Sequence, residues 1–254
     1  MRYVRYLLYS IVFFWILLSG PIMVLIFGNL SSNNENWQAF QDQRAKLAPP
    51  PSTEQAIIQV YAARSFGWQG AFSVHTWIAC KRQAEKQYKL YQVVGWYKQM
   101  NTSVLSMQLL PENDTPDVYW YGQAPQRLVD VRGAGEIDAL IDRLDQVVIS
   151  YPYKNHYRAW FGPNSNTFTA YVARALPELR LDLPSTAMGK DYLSDGTFFA
   201  IAPSGTGGQV SLFGIVSATL ATEEGLELNL LGLHFGLDLL DITIRFPGIG
   251  RIGF

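Results

Sequence analysis

Hydrophobic positions along the chain follow three patterns in turn. From Tyr6 to Gly28 they are almost continuous, with 23 residues and no charged side chain, fourteen of them Leu, Ile, Val or Phe. At about 1.5 Å per residue this run reaches roughly 35 Å, enough to cross a hydrocarbon core about 30 Å thick with some tilt. Each large aliphatic or Phe contributes about 0.3–0.6 kcal/mol to insertion, several kcal/mol in sum. Pro21 is expected to kink the helix, which membrane helices tolerate. Arg2 and Arg5 precede the run, and Asn29–Asn36 carries one acid and no base. That asymmetry predicts an N-terminus inside and the rest of the chain outside. A cleaved signal peptide is the alternative, but its apolar core is about 7–15 residues and ends in small residues. This run is longer, and no Ala-x-Ala follows it.

In the second pattern, short strand-like runs precede helical periodicity. Ala56–Ala63, Ala71–Cys80, Tyr88–Tyr97 and Val104–Leu110 are rich in β-branched and aromatic residues. The polar Lys81–Gln87 joins two of them as a hairpin. Pro111–Pro125 reads as a loop. Ile137, Leu140, Ile141, Leu144 and Val148 share one helical face, as do Phe168, Tyr171, Val172 and Ala175, with Pro177 ending the second helix. In the third pattern, from Thr197 onward, apolar and polar residues alternate as in strands. Leu226, Leu228 and Leu230 alternate with Glu227 and Asn229. Leu240, Ile242, Ile244 and Phe246 alternate with Asp241, Thr243 and Arg245.

The class expected is α+β, an antiparallel sheet with a few helices, preceded by one transmembrane helix and followed by a β-rich C-terminal extension. The boundaries read as an anchor (1–30), a polar and Pro-rich spacer (31–54), an α+β core domain (55–195) and an antiparallel β extension (196–254). Pro49-Pro50-Pro51 favours an extended spacer.

Composition narrows the function classes. A formal net charge of -1 with scattered Lys and Arg excludes a nucleic-acid electrostatic footprint. The single cysteine, Cys80, excludes an internal disulfide and a thiolate zinc cluster. No metal and no cofactor is expected, and the lipid bilayer is the one partner predicted. Any histidine chemistry must use His75, His156 or His234.

The densest special segment is Tyr157–Phe168, in which Gly162-Pro163 makes a turn and Asn164 or Ser165 starts a helix. Helix-start N–H groups lack partners and carry partial positive charge, so a nucleophile at Ser165 would have oxyanion stabilisation at hand. His75 is a candidate base toward it. The alternative is that Asn164-Ser165-Asn166 is an ordinary helix cap and His75 a core residue beside Trp77. His156 could line the same cleft or be a surface residue. Asp117 and Trp120 could hold a polar ligand or anchor a loop. His234 and Asp238 would share a strand face. Lys190-Asp191 reads as a local ion pair. Cys80 should point away from His75, since strand positions five apart face opposite sides.

The segments His75–Ala79, Gly95-Trp96, Tyr119–Gly122, Tyr151–Tyr153, Gly162–Phe168 and Gly189–Leu193 together resemble an uncharacterised bacterial family of membrane-anchored proteins, domain of unknown function 3750. The resemblance covers roughly residues 55–205 and implies no established activity. A more distant resemblance is to the circularly permuted papain-like superfamily, which includes lecithin–retinol acyltransferase-like proteins. Those proteins place a strand histidine first and a cysteine opening a helix later, within an Asn-Cys-Glu-His-Phe-like motif. Asn164-Ser165-Asn166-Thr167-Phe168 is similar to that motif, with Ser165 at the cysteine's place, and Gln92 is similar to the third polar residue. A hydroxyl needs an aligned base where a thiolate does not. The resemblance therefore implies either a non-catalytic binding member or a serine-dependent hydrolase or acyltransferase acting on envelope peptide or acyl substrates. Asn164, Asn166, Trp77 and His156 are the expected substrate-binding residues. The implied location is the bacterial inner membrane, single-pass, with the domain facing the periplasm and a protein or envelope ligand left unidentified.

Overall fold

A computed structural model describes residues 2–31, 42–194 and 196–253. The apolar run forms one helix, α1 (Arg2–Phe27), continuous through Pro21. Arg2 to Ile16 is exposed, whereas Leu17, Gly20 and Pro21 are buried against the rest of the protein. It is long and apolar enough to cross a membrane, and it equally fits a signal sequence.

The strand-like runs form β1 (Ala56–Arg64), β2 (Val74–Lys81), β3 (Lys89–Val93) and β4 (Leu105–Leu109). β5 (Gln126–Gly133), which alternation did not reveal, completes an antiparallel sheet in the order β4-β3-β2-β1-β5. The expected β2–β3 hairpin is present, with Ile78 opposite Tyr91. Two expected strands are shorter than read, because 3-10 turns at Gly67–Ala71 and Gly95–Met100 take their ends. α2 (Gly135–Ser150) and α3 (Ser165–Ala175) cover one face through Ile58, Val60, Ile78, Ile141, Leu144 and Phe168. The other face buries Ile57, Tyr61, Trp77 and Tyr88.

Much of the expected spacer is packed down. Leu47 N–H donates to Asp117 Oδ2 at 2.6 Å, Tyr88 Oη–H to the Pro49 carbonyl at 3.0 Å, and Lys81 Nζ to the Thr53 carbonyl at 2.6 Å. Residues 42–54 thus run across the face that α2 and α3 leave open. The earlier part of the spacer, residues 32–41, lies outside the described residues.

The C-terminal alternation forms seven strands: β6 (Phe199–Ile201), β7 (Gly207–Leu212), β8 (Val216–Ala221), β9 (Gly225–Leu230), β10 (Leu233–Asp238), β11 (Thr243–Phe246) and β12 (Gly250–Gly253). They pair in chain order as one antiparallel meander. Leu240 and Ile242, expected in a strand, instead occupy the β10–β11 turn.

Candidate functional site

α3 is placed by its cap. Asn164 Oδ1 accepts from the N–H groups of Asn166 at 2.9 Å and Thr167 at 3.1 Å, and Thr167 Oγ1 bonds back to the Asn164 N–H at 3.1 Å. This reciprocal pair satisfies two orphan helix-start donors at once. Asn164 Nδ2 donates to the carbonyls of Ala159 and Met188. Gly189 allows this approach, since a Cβ there would lie 2.4 Å from Asn164 Nδ2, and its φ of +95° favours glycine. Asn166 then ties the helix to β2. Its Nδ2 donates to the Val74 carbonyl at 2.9 Å, and its Oδ1 accepts from Thr76 Oγ1 at 3.0 Å. The start of α3 is thereby fixed beside the start of β2, next to His75.

His75 is 6% exposed, and its Nε2 lies 3.0 Å from Gln92 Oε1. The amide oxygen is an acceptor, so Nε2 carries the proton and Nδ1 the lone pair. Trp120 stacks on the ring at 3.8 Å between centroids, and Trp77 lies beyond at 5.8 Å. Burial lowers the imidazole from its ordinary 6.5 to about 4, a shift the Gln92 hydrogen bond only partly opposes. The ring is therefore a neutral, oriented base at neutral pH. Nδ1 has no hydrogen-bond partner among the described residues and is not sealed from solvent.

His75 and Ser165 line the same cavity of about 780 Å³, whose walls include Trp68, Phe72, Trp96, Trp120, Tyr157 and Trp160. Phe14 and Leu18 of α1 close one side of it. Ser165 is the first residue of α3, and its hydroxyl makes no hydrogen bond to His75. The cap uses the Asn166 and Thr167 amides, leaving the Ser165 N–H alone at the helix start.

The structure thus brings His75, Gln92 and Ser165 to one region. Asn164 and Asn166 border the cavity, with their polar atoms engaged in the cap and the tie to β2. Trp77 lies behind His75, off the cavity wall, and donates Nε1–H to the Pro116 carbonyl at 2.9 Å. His156 is exposed and does not line the cavity. Asp117 secures the 42–54 segment. Cys80 faces α2 and α3, on the opposite side of β2 from His75, and burial pushes its thiol up to about 12. Of the other wall residues, Tyr157 and Trp160 lie in the Tyr157–Phe168 segment singled out from the sequence, though neither was named for a role, whereas Met188 and the α1 residues Phe14 and Leu18 come from separate segments that no local spacing marks.

A second polar cluster lies between the core and the seven-stranded sheet. Lys190 and Asp191 do not form the expected pair with each other. Lys190 Nζ meets Glu227 Oε1 at 2.6 Å, and His234 Nε2 meets Asp191 Oδ2 at 2.6 Å. Burial raises the Asp191 carboxyl, but His234 and then Lys190 outweigh it and hold it below the ordinary range. Asp191, Glu227 and His234 each offer a ligand atom, all within 4.8 Å of one another. Lys190 already compensates Glu227 Oε1, while Glu227 Oε2, His234 Nδ1 and the neighbouring Arg245 Nε are buried without a hydrogen-bond partner among the described residues. Asp238 shares the His234 face, as expected, and turns to Arg251 at 3.1 Å.

These features define an α+β domain carrying an apolar N-terminal helix and one aromatic-walled cavity beside an oriented histidine. The family model described as Protein of unknown function (DUF3750) matches residues 55–192, more than half of the chain, and the protein belongs to that family. No curated protein and no solved structure matches it.

Proposed function

We propose that this protein is a single-pass membrane-anchored domain that binds an apolar-tailed ligand, of the acyl type, in the His75 cavity. In this reading α1 is an uncleaved anchor with its N-terminus in the cytoplasm, and the domain faces the periplasm. The core is a non-catalytic relative of the permuted papain-like scaffold. The observation that carries the reading is the cavity itself: about 780 Å³, aromatic-walled, with few polar groups at its base. Ligand sites are built this way, with apolar walls supplying affinity and a few polar atoms fixing orientation. The scaffold reading is supported by the chain order of strand histidine and helix-start residue, and by Gln92 holding the imidazole from the adjacent strand. Loss of catalysis is supported by the missing Ser165–His75 hydrogen bond and by a helix start with one amide left for an oxyanion.

The test is binding of a fluorescent fatty acid to the full chain in nanodiscs, read by energy transfer from tryptophan. Saturable binding that Ser165→Trp abolishes supports the proposal; equal binding by both chains refutes it.

A serine-dependent hydrolase or acyltransferase is the second reading, favoured by the unpartnered Nδ1 of a neutral, oriented His75. It requires that ligand entry bring Ser165 Oγ to within about 3 Å of that nitrogen. Fluorophosphonate labelling that disappears in Ser165→Ala would establish it, and absence of labelling at saturating ligand would remove it.

A further inference from the structure

The register of the seven-stranded sheet separates its two faces completely. Gln209, Ser211, Ser217, Thr219, Glu227 and Asn229 all point inward and are buried, and His234, Asp238 and Arg245 join them from β10 and β11. Among the described residues, the strands present no polar side chain on the opposite face. Phe199, Val210, Leu220, Leu228, Leu237, Ile244 and Ile252 represent its strands from β6 to β12, and all are exposed. The remaining outward positions are also apolar, or glycine. Seven strands at about 4.8 Å spacing, four of them about 20 Å long and β6, β11 and β12 about 10–13 Å, make an apolar face on the order of 550 Å². That is at the upper limit of what soluble monomers leave bare. The β10–β11 turn extends the same character, with Leu239, Leu240 and Ile242 all strongly exposed.

This face is continuous with α1. Phe246 lies on it, in ring contact with Phe235 of the neighbouring strand. Gly20 of α1 packs so closely there that a Cβ would lie 2.9 Å from the Phe246 ring and 2.0 Å from the Pro247 carbonyl oxygen. Pro21 meets Gly248 on the following turn. The uncharged, exposed part of α1 before this contact, Tyr6–Ile16, is 11 residues long. It reaches about 16 Å, short of a hydrocarbon core by roughly 14 Å. A helix that spans must therefore draw the domain surface at Phe246 into the bilayer's outer layer, and interfacial elements sit about 5–10 Å deep.

We propose that the outer face of β6–β12 is a lipid-contacting surface that lies on the acyl-chain boundary of the membrane crossed by α1. The apolar side meets lipid, and the polar side is retained for the ion pairs beneath the sheet. A second copy of the chain fits the observations less well. Its sheet would have to clear α1 at Phe246, and the protruding leucines of the β10–β11 turn suit insertion better than a flat sheet-on-sheet contact.

The test uses the full chain in vesicles of phosphatidylcholine and phosphatidylglycerol. Its own Cys80 is 2% exposed, which leaves introduced cysteines to be labelled selectively. Bimane is placed at Leu220→Cys, Leu228→Cys or Leu240→Cys, and at Glu112→Cys in the exposed β4–β5 loop as the control. Brominated acyl chains should quench the first three by about twofold or more and spare the control, while aqueous iodide does the reverse. Val210→Cys and Ile252→Cys provide two further positions if a label at Leu228 unfolds the chain. Iodide quenching of the face to the level of the control would overturn the proposal. So would shielding from both quenchers combined with Leu228→Cys disulfide dimers, which would assign the face to a second copy.

Discussion

In the five-stranded sheet both faces are covered by protein. Ile58, Val60 and Ile78 meet α2 and α3, while Ile57, Tyr61 and Trp77 lie under the 42–54 segment and the Trp120 loop. The seven-stranded sheet has one covered face, and that face is polar: Glu227 and Arg245 are 2% exposed while Leu228 beside them is 52% exposed. The same strand geometry gives both results. What differs is the packing partner. β1 and β2 face the apolar sides of two helices, whereas β9 to β11 face Asp182, Lys190 and Asp191, whose charges need partners once they are buried. Alternation along a strand fixes that the faces differ, and the neighbouring segment decides which one is the interior.

The largest effect should come from the polar interior. Glu227→Leu leaves the Lys190 ammonium buried with, among the described residues, only the Leu183 carbonyl as a hydrogen-bond partner. We expect a loss of about 3–5 kcal/mol, read by chemical denaturation, and substantial recovery in the Lys190→Met/Glu227→Leu double variant. Recovery failing there would mean that the sheet is not held by this pair. Next is the apolar interior of the first sheet, where Ile78→Ala should cost about 3 kcal/mol through the cavity it leaves.

Between about pH 6.5 and 4, acid should act through His75, whereas the carboxyls held below their ordinary range, Asp191 foremost, respond at lower pH. The folded value of His75, about 4, lies below the ordinary 6.5, so between these values the unfolded chain binds more protons. Stability is therefore retained above about pH 6.5 and falls as pH drops toward 4, by up to about 3 kcal/mol. His75→Gln should flatten this part of the stability–pH curve; an unchanged slope would show that His75 is solvated. The smallest effect is the counterpart of Ile78→Ala: Leu228→Ser on the outer face of the second sheet should change stability in detergent by less than about 0.5 kcal/mol. A cost comparable to that of Ile78→Ala would show that protein covers this face.

Much of this architecture was legible in the chain. The apolar run, four of the first five strands, both amphipathic helices and the C-terminal alternation follow from periodicity. β5 was not read because its alternation, Val129 and Val131 with Asp130 and Arg132, covers only four residues, and the preceding Arg127 and Leu128 break the pattern. His75, Gln92 and Ser165 were named from residue type and motif order, and the structure places all three near the start of α3. Trp120 was weighed as a ligand contact, but that it joins Trp68, Trp96 and Trp160 in one wall was not foreseeable, since strand order and loop packing bring them together. Lys190 and Asp191 were read as neighbours in sequence, but pairing across 37 and 43 residues, to Glu227 and His234, depends on the meander.

The central claim, that the cavity holds an apolar-tailed ligand beside a neutral His75, has a direct spectroscopic test. The chain has only three histidines, two of which, His156 and His234, lie off the cavity wall. In the full chain labelled with 15N-histidine, adding a long-chain fatty acid should shift the His75 ring resonances saturably and leave those of His156 and His234 in place. A His75 signal that stays fixed through saturating ligand, or that moves only together with the other two, would contradict the account.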